Sequence, residues 1–218
     1  PSFSLTQMLD PSDHTSAEII VKEFINQYGL NDFKNLDLLC FTDPDADRLG
    51  VIINVPKKEK SLYGEWKLLK ANDIWTLLLW YMLEIISKQS NLFSSVLSKM
   101  FIVKNFVTTD ALSYTCKKYG IDCIDGKVGF SDLTTVVQQH WTEGKINIGM
   151  FEESSGFGIA GNPIFPEFRS HILEKDGILT LILITEIVAY AKSINTTISQ
   201  LLDDIYLDPK IGFFATSR

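Results

Sequence analysis

Leu38-Leu39-Cys40-Phe41-Thr42-Asp43-Pro44-Asp45-Ala46-Asp47-Arg48 sets an apolar run directly against three carboxylates at every second position. The run reads as a strand, and in an extended or tightly turned continuation residues i, i+2 and i+4 project to one side. Asp43, Asp45 and Asp47 can therefore aim oxygens at one point. Crowded carboxylates resist ionising together unless a cation offsets their charge. Mg²⁺ suits such a cluster, because it takes hard oxygen ligands in an octahedron and keeps positions open for water or a phosphate oxygen. Arg48 then stands where a guanidinium could clamp that phosphate. An EF-hand also begins with alternating aspartates, but it needs glycine at its sixth position and glutamate at its twelfth. Those positions hold Arg48 and Asn54. A solvated acidic turn favoured by Pro44 remains open on the hexapeptide alone.

The rest of the chain bounds the setting. Its 218 residues, 45% hydrophobic and 22% charged, suffice for a sizeable core in one or two domains. A net charge of −7 argues against a nucleic-acid surface, which needs a clustered basic patch. The one dense basic stretch, Lys57-Lys58-Glu59-Lys60, reads as a hydrated loop. Cys40, Cys116 and Cys123 are odd in number and lack metal-ligand spacing, so reduced thiols in a cytoplasmic protein are expected. The apolar stretches at residues 74–86 and 178–191 are too short or interrupted for a membrane span, and the amino terminus is not of the signal-peptide kind.

Periodicity supplies the element order. Residues 16–28 carry Ile19, Ile20, Phe24 and Ile25 at helical spacing before Gly29. Strands are expected at residues 36–41 and 49–55, then a lysine-rich hinge at 56–64. Beyond it come a strand at 66–69, a helix capped by Asn72 or Asp73 and running to about Lys88, and a strand at 101–106. Thr108 or Thr109 caps a helix that Gly120 ends. A strand at 121–124, a helix from Phe130 or Ser131 to His140, a strand at 146–151 and helices at 177–193 and 196–206 complete the chain. This alternation predicts an α/β fold, a layered and largely parallel sheet with helices on both faces. Trp75, Trp80, Tyr81 and Phe93 read as core packing, and His14, His140 and His171 as surface or capping residues, since no zinc spacing joins them.

Glu152-Glu153-Ser154-Ser155-Gly156 follows the strand at 146–151 and so leaves its carboxyl end, where open α/β sheets place ligands. Two carboxylates and a hydroxyl there can bond vicinal sugar hydroxyls, and Gly156 permits close approach. Helix-cap or turn chemistry explains such a stretch equally simply. Taken together, the two loops make the chain resemble the α-D-phosphohexomutase family of phosphoglucomutases and phosphomannomutases. Thr42-Asp43-Pro44-Asp45-Ala46-Asp47-Arg48-Leu49-Gly50-Val51 is similar to that family's metal-binding loop, and Gly149-Met150-Phe151-Glu152-Glu153-Ser154-Ser155-Gly156-Phe157 to its sugar-binding loop. Trp66-Lys67-Leu68-Leu69-Lys70-Ala71-Asn72-Asp73, Val107-Thr108-Thr109-Asp110 and Glu174-Lys175-Asp176-Gly177-Ile178 extend the resemblance.

The resemblance implies that residues 1–56 form the last part of a second domain with the metal loop, and residues 57–218 a third domain with the sugar loop. It implies Asp43, Asp45 and Asp47 as Mg²⁺ ligands, Arg48 as a catalytic contact to phosphate or sugar, and Glu152 and Ser154 as holders of sugar hydroxyls, with Glu153 at a variable position. The expected partners are a hexose phosphate and the remaining domains of a parent chain, with no nucleic acid and no membrane. The expected activity is a shift of phosphate between the 1- and 6-positions of a hexose, through a phosphoserine enzyme and a bisphosphorylated sugar. The chain has no Ser-His-Asn-Pro stretch for the phosphoserine, so by itself it is expected to be inactive. Phe157 stands where some members have histidine, and Val128-Gly129-Phe130 where many have Thr-Gly. Two other readings are a non-catalytic sugar-phosphate or protein-binding module of the same fold, and a phosphatase using Asp43 as nucleophile.

Overall fold

The computed structural model describes residues 9–88, 96–169 and 172–212. His171 and Phe93, assigned above from the sequence, lie outside them. Asp13 opens α1 (His14–Tyr28) by accepting from the Ser16 N–H at 3.0 Å, and Gly29 closes it at φ 98°. A short α2 (Leu30–Lys34) precedes β1 (Leu39–Thr42), which begins three residues later than the apolar pattern suggests. β1 pairs antiparallel with β2 (Leu49–Asn54). After α3 (Lys60–Tyr63) the chain returns to β2 through β3 (Trp66–Leu68), giving a three-stranded antiparallel sheet ordered β1-β2-β3.

Alternation along β2 divides its burial between two clusters. Leu49, Val51 and Ile53 join the main core, whereas Ile52 meets Phe41, Ala17, Val21 and Phe33 beneath α1 and α2. A long apolar helix α4 (Ala71–Lys88) then leads to the second sheet. Asn72, expected as its cap, instead lies within its first turn and accepts from the Thr109 N–H at 3.1 Å, tying α4 to the loop after β4 (Met100–Asn105). Lys70 supplies the backbone start, its carbonyl accepting from the Asp73 and Ile74 N–H groups.

The second sheet runs β5-β4-β6-β7. β4 pairs parallel with β5 (Asp122–Gly126) and with β6 (Ile146–Glu152), and β7 (Gly156–Gly158) returns antiparallel on β6. α5 (Ala111–Tyr119) ends at Gly120, whose φ of 74° is the left-handed conformation glycine adopts freely. On one face of the sheet Met100 and Ile102 pack with Leu112 and Cys116 of α5; on the other Phe101 and Val103 pack with Leu133 and Val137 of α6 (Phe130–Trp141). The fold is thus mixed α/β with a mostly parallel second sheet covered on both faces. α7 (Gly177–Ser193) and α8 (Ile198–Leu207) bring Ile184, Ile187, Leu201 and Ile205 into the same core as β2 and α4. Among the described residues no single helix is long and apolar enough to cross a membrane, although α7 and α8 would pass that test as a pair bent by 87°.

Two ring-over-glycine contacts fix the strands that carry the site loops. The Phe41 ring lies across Gly50, where an added Cβ would come within 2.4 Å of it, and the Phe151 ring covers Gly149 in the same way at 2.5 Å. Gly50→Ala is expected to cost about 1–3 kcal/mol through overpacking at the β1–β2 pair, read as a lower denaturant midpoint at unchanged slope; an unchanged midpoint would show that Phe41 moves aside freely.

Candidate functional site

The β1–β2 connection is built to crowd its carboxylates. The Ala46 N–H bonds the Asp43 carbonyl at 3.1 Å in a turn with Pro44 at its second position, and Ala46 then takes a left-handed φ of 58°. The result brings one oxygen each of Asp43, Asp45 and Asp47 within 4.8 Å of one another. Asp43 is buried, Asp47 half-buried and Asp45 exposed.

Cations of the protein hold this loop. Arg48 donates to Asp43 from its Nε at 2.6 Å and its backbone N–H at 3.2 Å, and from Nη1 to Asp10 at 3.2 Å. Burial works against ionisation of Asp43, but the Arg48 bonds prevail and hold its carboxyl below the usual range. For Asp47 the balance tips the other way: burial, with Asp43 beside it, pushes the carboxyl up despite a 2.9 Å contact from Lys175 Nζ.

Lys175 is the site residue that sequence reasoning noticed only as part of a motif. Its Nζ lies between Asp47 at 2.9 Å and Glu152 Oε2 at 4.0 Å, and so spans the two loops. The signal lay in Glu174-Lys175-Asp176-Gly177, but nothing in its spacing says where it folds. Three backbone contacts put it there: Arg48 bridges Gly156, the Gly177 N–H bonds the Ala46 carbonyl at 3.1 Å, and the Asp176 N–H bonds the Phe157 carbonyl at 2.7 Å. A Cβ on Gly177 would stand 2.6 Å from the Ala46 carbonyl oxygen and 2.9 Å from that of Arg48. At Gly156 it would meet the Lys175 stem at 2.5 Å and Glu152 Oε2 at 3.0 Å. Gly177, set against backbone carbonyls, is therefore a steric requirement of the junction, whereas a side chain at Gly156 would displace Lys175.

Glu152 ends β6 with its side chain buried, and its carbonyl accepts from the Trp75 Nε1–H at 2.8 Å. Phe157, in the place of a histidine, is fully buried and stacks on Trp75 at 5.7 Å, so it supports the loop from behind instead of facing the cleft. Ser154 is half-buried at the tip, and Ser155 takes a left-handed φ of 72°. The second glutamate is also fixed: Asn105 Nδ2 donates to Glu153 at 2.6 Å while its Oδ1 accepts from the Thr108 N–H. Lys127 and Val128 are exposed in the loop before α6. Of the histidines, His14 is exposed and stacks on Trp66, and His140 bonds the Val136 carbonyl within its own helix.

The six charged residues Asp10, Asp43, Asp45, Asp47, Arg48 and Lys175 line an open cavity of ≈ 770 Å³. With Glu152 beside them, carboxylates outnumber cations, and the donor set is the hard-oxygen kind that a small divalent cation takes. An anion alone would meet net repulsion there.

Arg48→Met is expected to destabilise the fold by about 2–3 kcal/mol, because it strands the buried Asp43; that figure is below the fully buried case since a quarter of the Arg48 side chain is exposed. A denaturation series with Arg48→Met, Asp43→Asn and the double variant measures the coupling, and additive losses would refute it. Gly177→Ala is expected to cost at least as much as Gly50→Ala, since its Cβ meets backbone carbonyls that cannot swing away.

Comparison with known proteins places these observations. The family described as phosphoglucomutase/phosphomannomutase, alpha/beta/alpha domain III, matches residues 71–207. A phosphopentomutase of Mus musculus is 26% identical over 181 residues, covering 83% of this chain and 27% of that protein. A phosphoglucomutase of Staphylococcus aureus is 26% identical over 206 residues, covering 94% of this chain and 32% of its own length. The chain thus spans about a third or less of these relatives. Among solved structures, the phosphoglucomutase parafusin of Paramecium, in its open form, superposes with a TM-score of 0.59 at 20% identity, over 90% of this chain and 29% of its own. A phosphoglucomutase/phosphomannomutase family protein of Burkholderia thailandensis gives 0.55 at 18% identity, over 90% and 33%. At such identities the superpositions speak for the fold, and the match over residues 71–207 for the family: the chain belongs to the phosphoglucomutase/phosphomannomutase family and carries its α/β/α domain III.

Proposed function

We propose that this chain is the metal-bearing and sugar-bearing segment of a phosphohexomutase that interconverts hexose 1-phosphate and hexose 6-phosphate. The observation that carries the reading is Lys175, which touches Asp47 and approaches Glu152, so that the acidic loop and the proposed sugar loop meet at one cation. Phosphoryl transfer depends on positioning and on offsetting the charge of the transferred group, with little covalent chemistry left to the protein. Asp43, Asp45 and Asp47 would hold Mg²⁺, which when bound offsets charge on the phosphoryl oxygens. Arg48 holds the Asp43 carboxyl below its usual range and lines the same cavity, where its uncommitted N–H groups would meet a phosphate. Glu152 and Ser154 accept and donate to sugar hydroxyls, at a depth set by Trp75 below. The phosphoserine would come from another part of the parent chain, and the isolated chain is inactive. The name of the Mus musculus relative supports a second substrate class, pentose phosphates, since one hydroxyl contact more or less decides between sugars.

Titration calorimetry with Mg²⁺ and with Mn²⁺ tests the metal assignment: Asp45→Asn, exposed and outside the Arg48 contacts, is expected to lower affinity roughly tenfold or more with the fold intact. Equal affinity in both proteins would overturn it. Amide shifts of residues 152–156 on addition of glucose 1,6-bisphosphate with Mg²⁺ test the sugar loop, and Glu152→Gln is expected to abolish them. If the shifts instead persist in that variant, or if a longer parent chain binds the sugar but turns none over, the non-catalytic binding module is the better reading.

A further inference from the structure

Two of the three cysteines are brought together by the α5–β5 reversal. After Gly120 the Ile121 N–H bonds back to the Cys116 carbonyl at 3.1 Å, and β5 begins one residue later. This lays Cys123 against the face of α5 that carries Ser113 and Cys116, which are three residues apart and so on one side of the helix. Ser113 Oγ stands 3.4 Å from Cys123 Sγ, and Cys123, paired with Ile102 on β4, packs against the same core cluster that holds Ile102 and Cys116.

The two thiols differ in access and character. Cys116 is 1% exposed inside the core, whereas Cys123 is partly exposed on β5, the edge strand of its sheet. The neighbouring Cys116 thiol, against burial and with help from Ser113 and the Lys104 ammonium, holds the Cys123 thiol below its usual range. Burial, with Cys123 beside it, pushes the Cys116 thiol up. Lys104 is kept close by Asp125, at 2.8 Å, two residues along β5 from Cys123. Cys40 is the internal contrast: it lies in the other sheet, and burial alone pushes it up to about 12.

We propose that Cys116 and Cys123 form a dithiol site for reversible oxidation by hydroperoxides, with Cys123 as the attacking sulfur and Cys116 as the resolving one. The Cys123 thiolate attacks one oxygen of hydrogen peroxide; the O–O bond breaks, and the departing hydroxide leaves as water with the thiol's proton, giving a sulfenic acid. The Cys116 sulfur then attacks Cys123 Sγ, the S–O bond breaks, a second water leaves with the remaining protons, and the S–S bond closes. Two thiols are oxidised and one peroxide is reduced to two waters. An external dithiol reverses the step by exchange through a mixed disulfide. Because both cysteines lie at one helix–strand contact, which the Ile121 N–H bond to the Cys116 carbonyl and the Ser113–Cys123 approach hold together, closure draws on rotation of the two side chains.

The test uses the full chain treated with one equivalent of hydrogen peroxide, followed by alkylation and peptide mass mapping. The expected result is loss of two of the three titratable thiols, a cross-linked Cys116–Cys123 peptide, Cys40 still alkylated, and recovery of all three thiols with dithiothreitol. Cys116→Ser is expected to divert Cys123 to a sulfinic acid or a mixed disulfide. The proposal is overturned if wild-type Cys123 is over-oxidised without linking to Cys116, or if Cys40 reacts as fast as Cys123. Should Cys116→Ser fail to fold, the wild-type map decides alone.

Discussion

The close approach of Gly177 to the carbonyls of Ala46 and Arg48 is the contact on which the site depends. It allows the start of α7 to press on the acidic loop, and the same segment places Lys175 between Asp47 and Glu152. It works with the Arg48–Gly156 bridge, which ties the end of the acidic loop to the start of β7. Asp176 reinforces the junction from both ends: its backbone N–H bonds Phe157 in β7, and its side chain caps α7 through the Leu179 N–H. A backbone contact of this kind has one geometry, whereas an ion pair alone has several.

Charge and packing divide the work at this junction. Arg48 and Lys175 compensate the acidic loop unequally, so that the Asp43 carboxyl lies below its usual range and that of Asp47 above it. Packing acts alongside charge. Trp75, Phe151 and Phe157 form an aromatic cluster beside the loop at residues 152–156, and Trp75 adds the hydrogen bond that anchors the Glu152 carbonyl. Asn105 and Lys104, at the end of β4, brace the neighbouring loop by bonding Glu153, Thr108, Asp110 and Asp125.

Long periodic segments were legible in the sequence because a single physical signal dominates each. The α1 pattern, the β4 and β6 runs and the Gly120 stop all form where spacing places them. Short elements were not. β7 is three residues, two of them glycine, and α2 and α3 have no room for a period, so the sequence pattern alone does not reveal them. β3 shows the same dependence, since its residues read as a strand but its choice of β2 as partner comes from the fold. Asn72 illustrates a local rule overridden: its side chain finds a more useful partner in Thr109 than in its own helix.

The sequence by itself determined the chemistry available to this protein: three alternating aspartates followed by arginine, an acidic-serine loop after an apolar strand, and enough alternation for an α/β fold. Residue type and local spacing suffice for that, because they fix which atoms project together over a few positions. Tertiary structure alone decided that Lys175 stands between the two loops, that Phe157 is buried against Trp75, and that two cysteines seven positions apart come to one helix–strand contact. Those outcomes depend on the packing of α7 and α5 against particular strands, and long-range packing leaves no periodic trace in the chain.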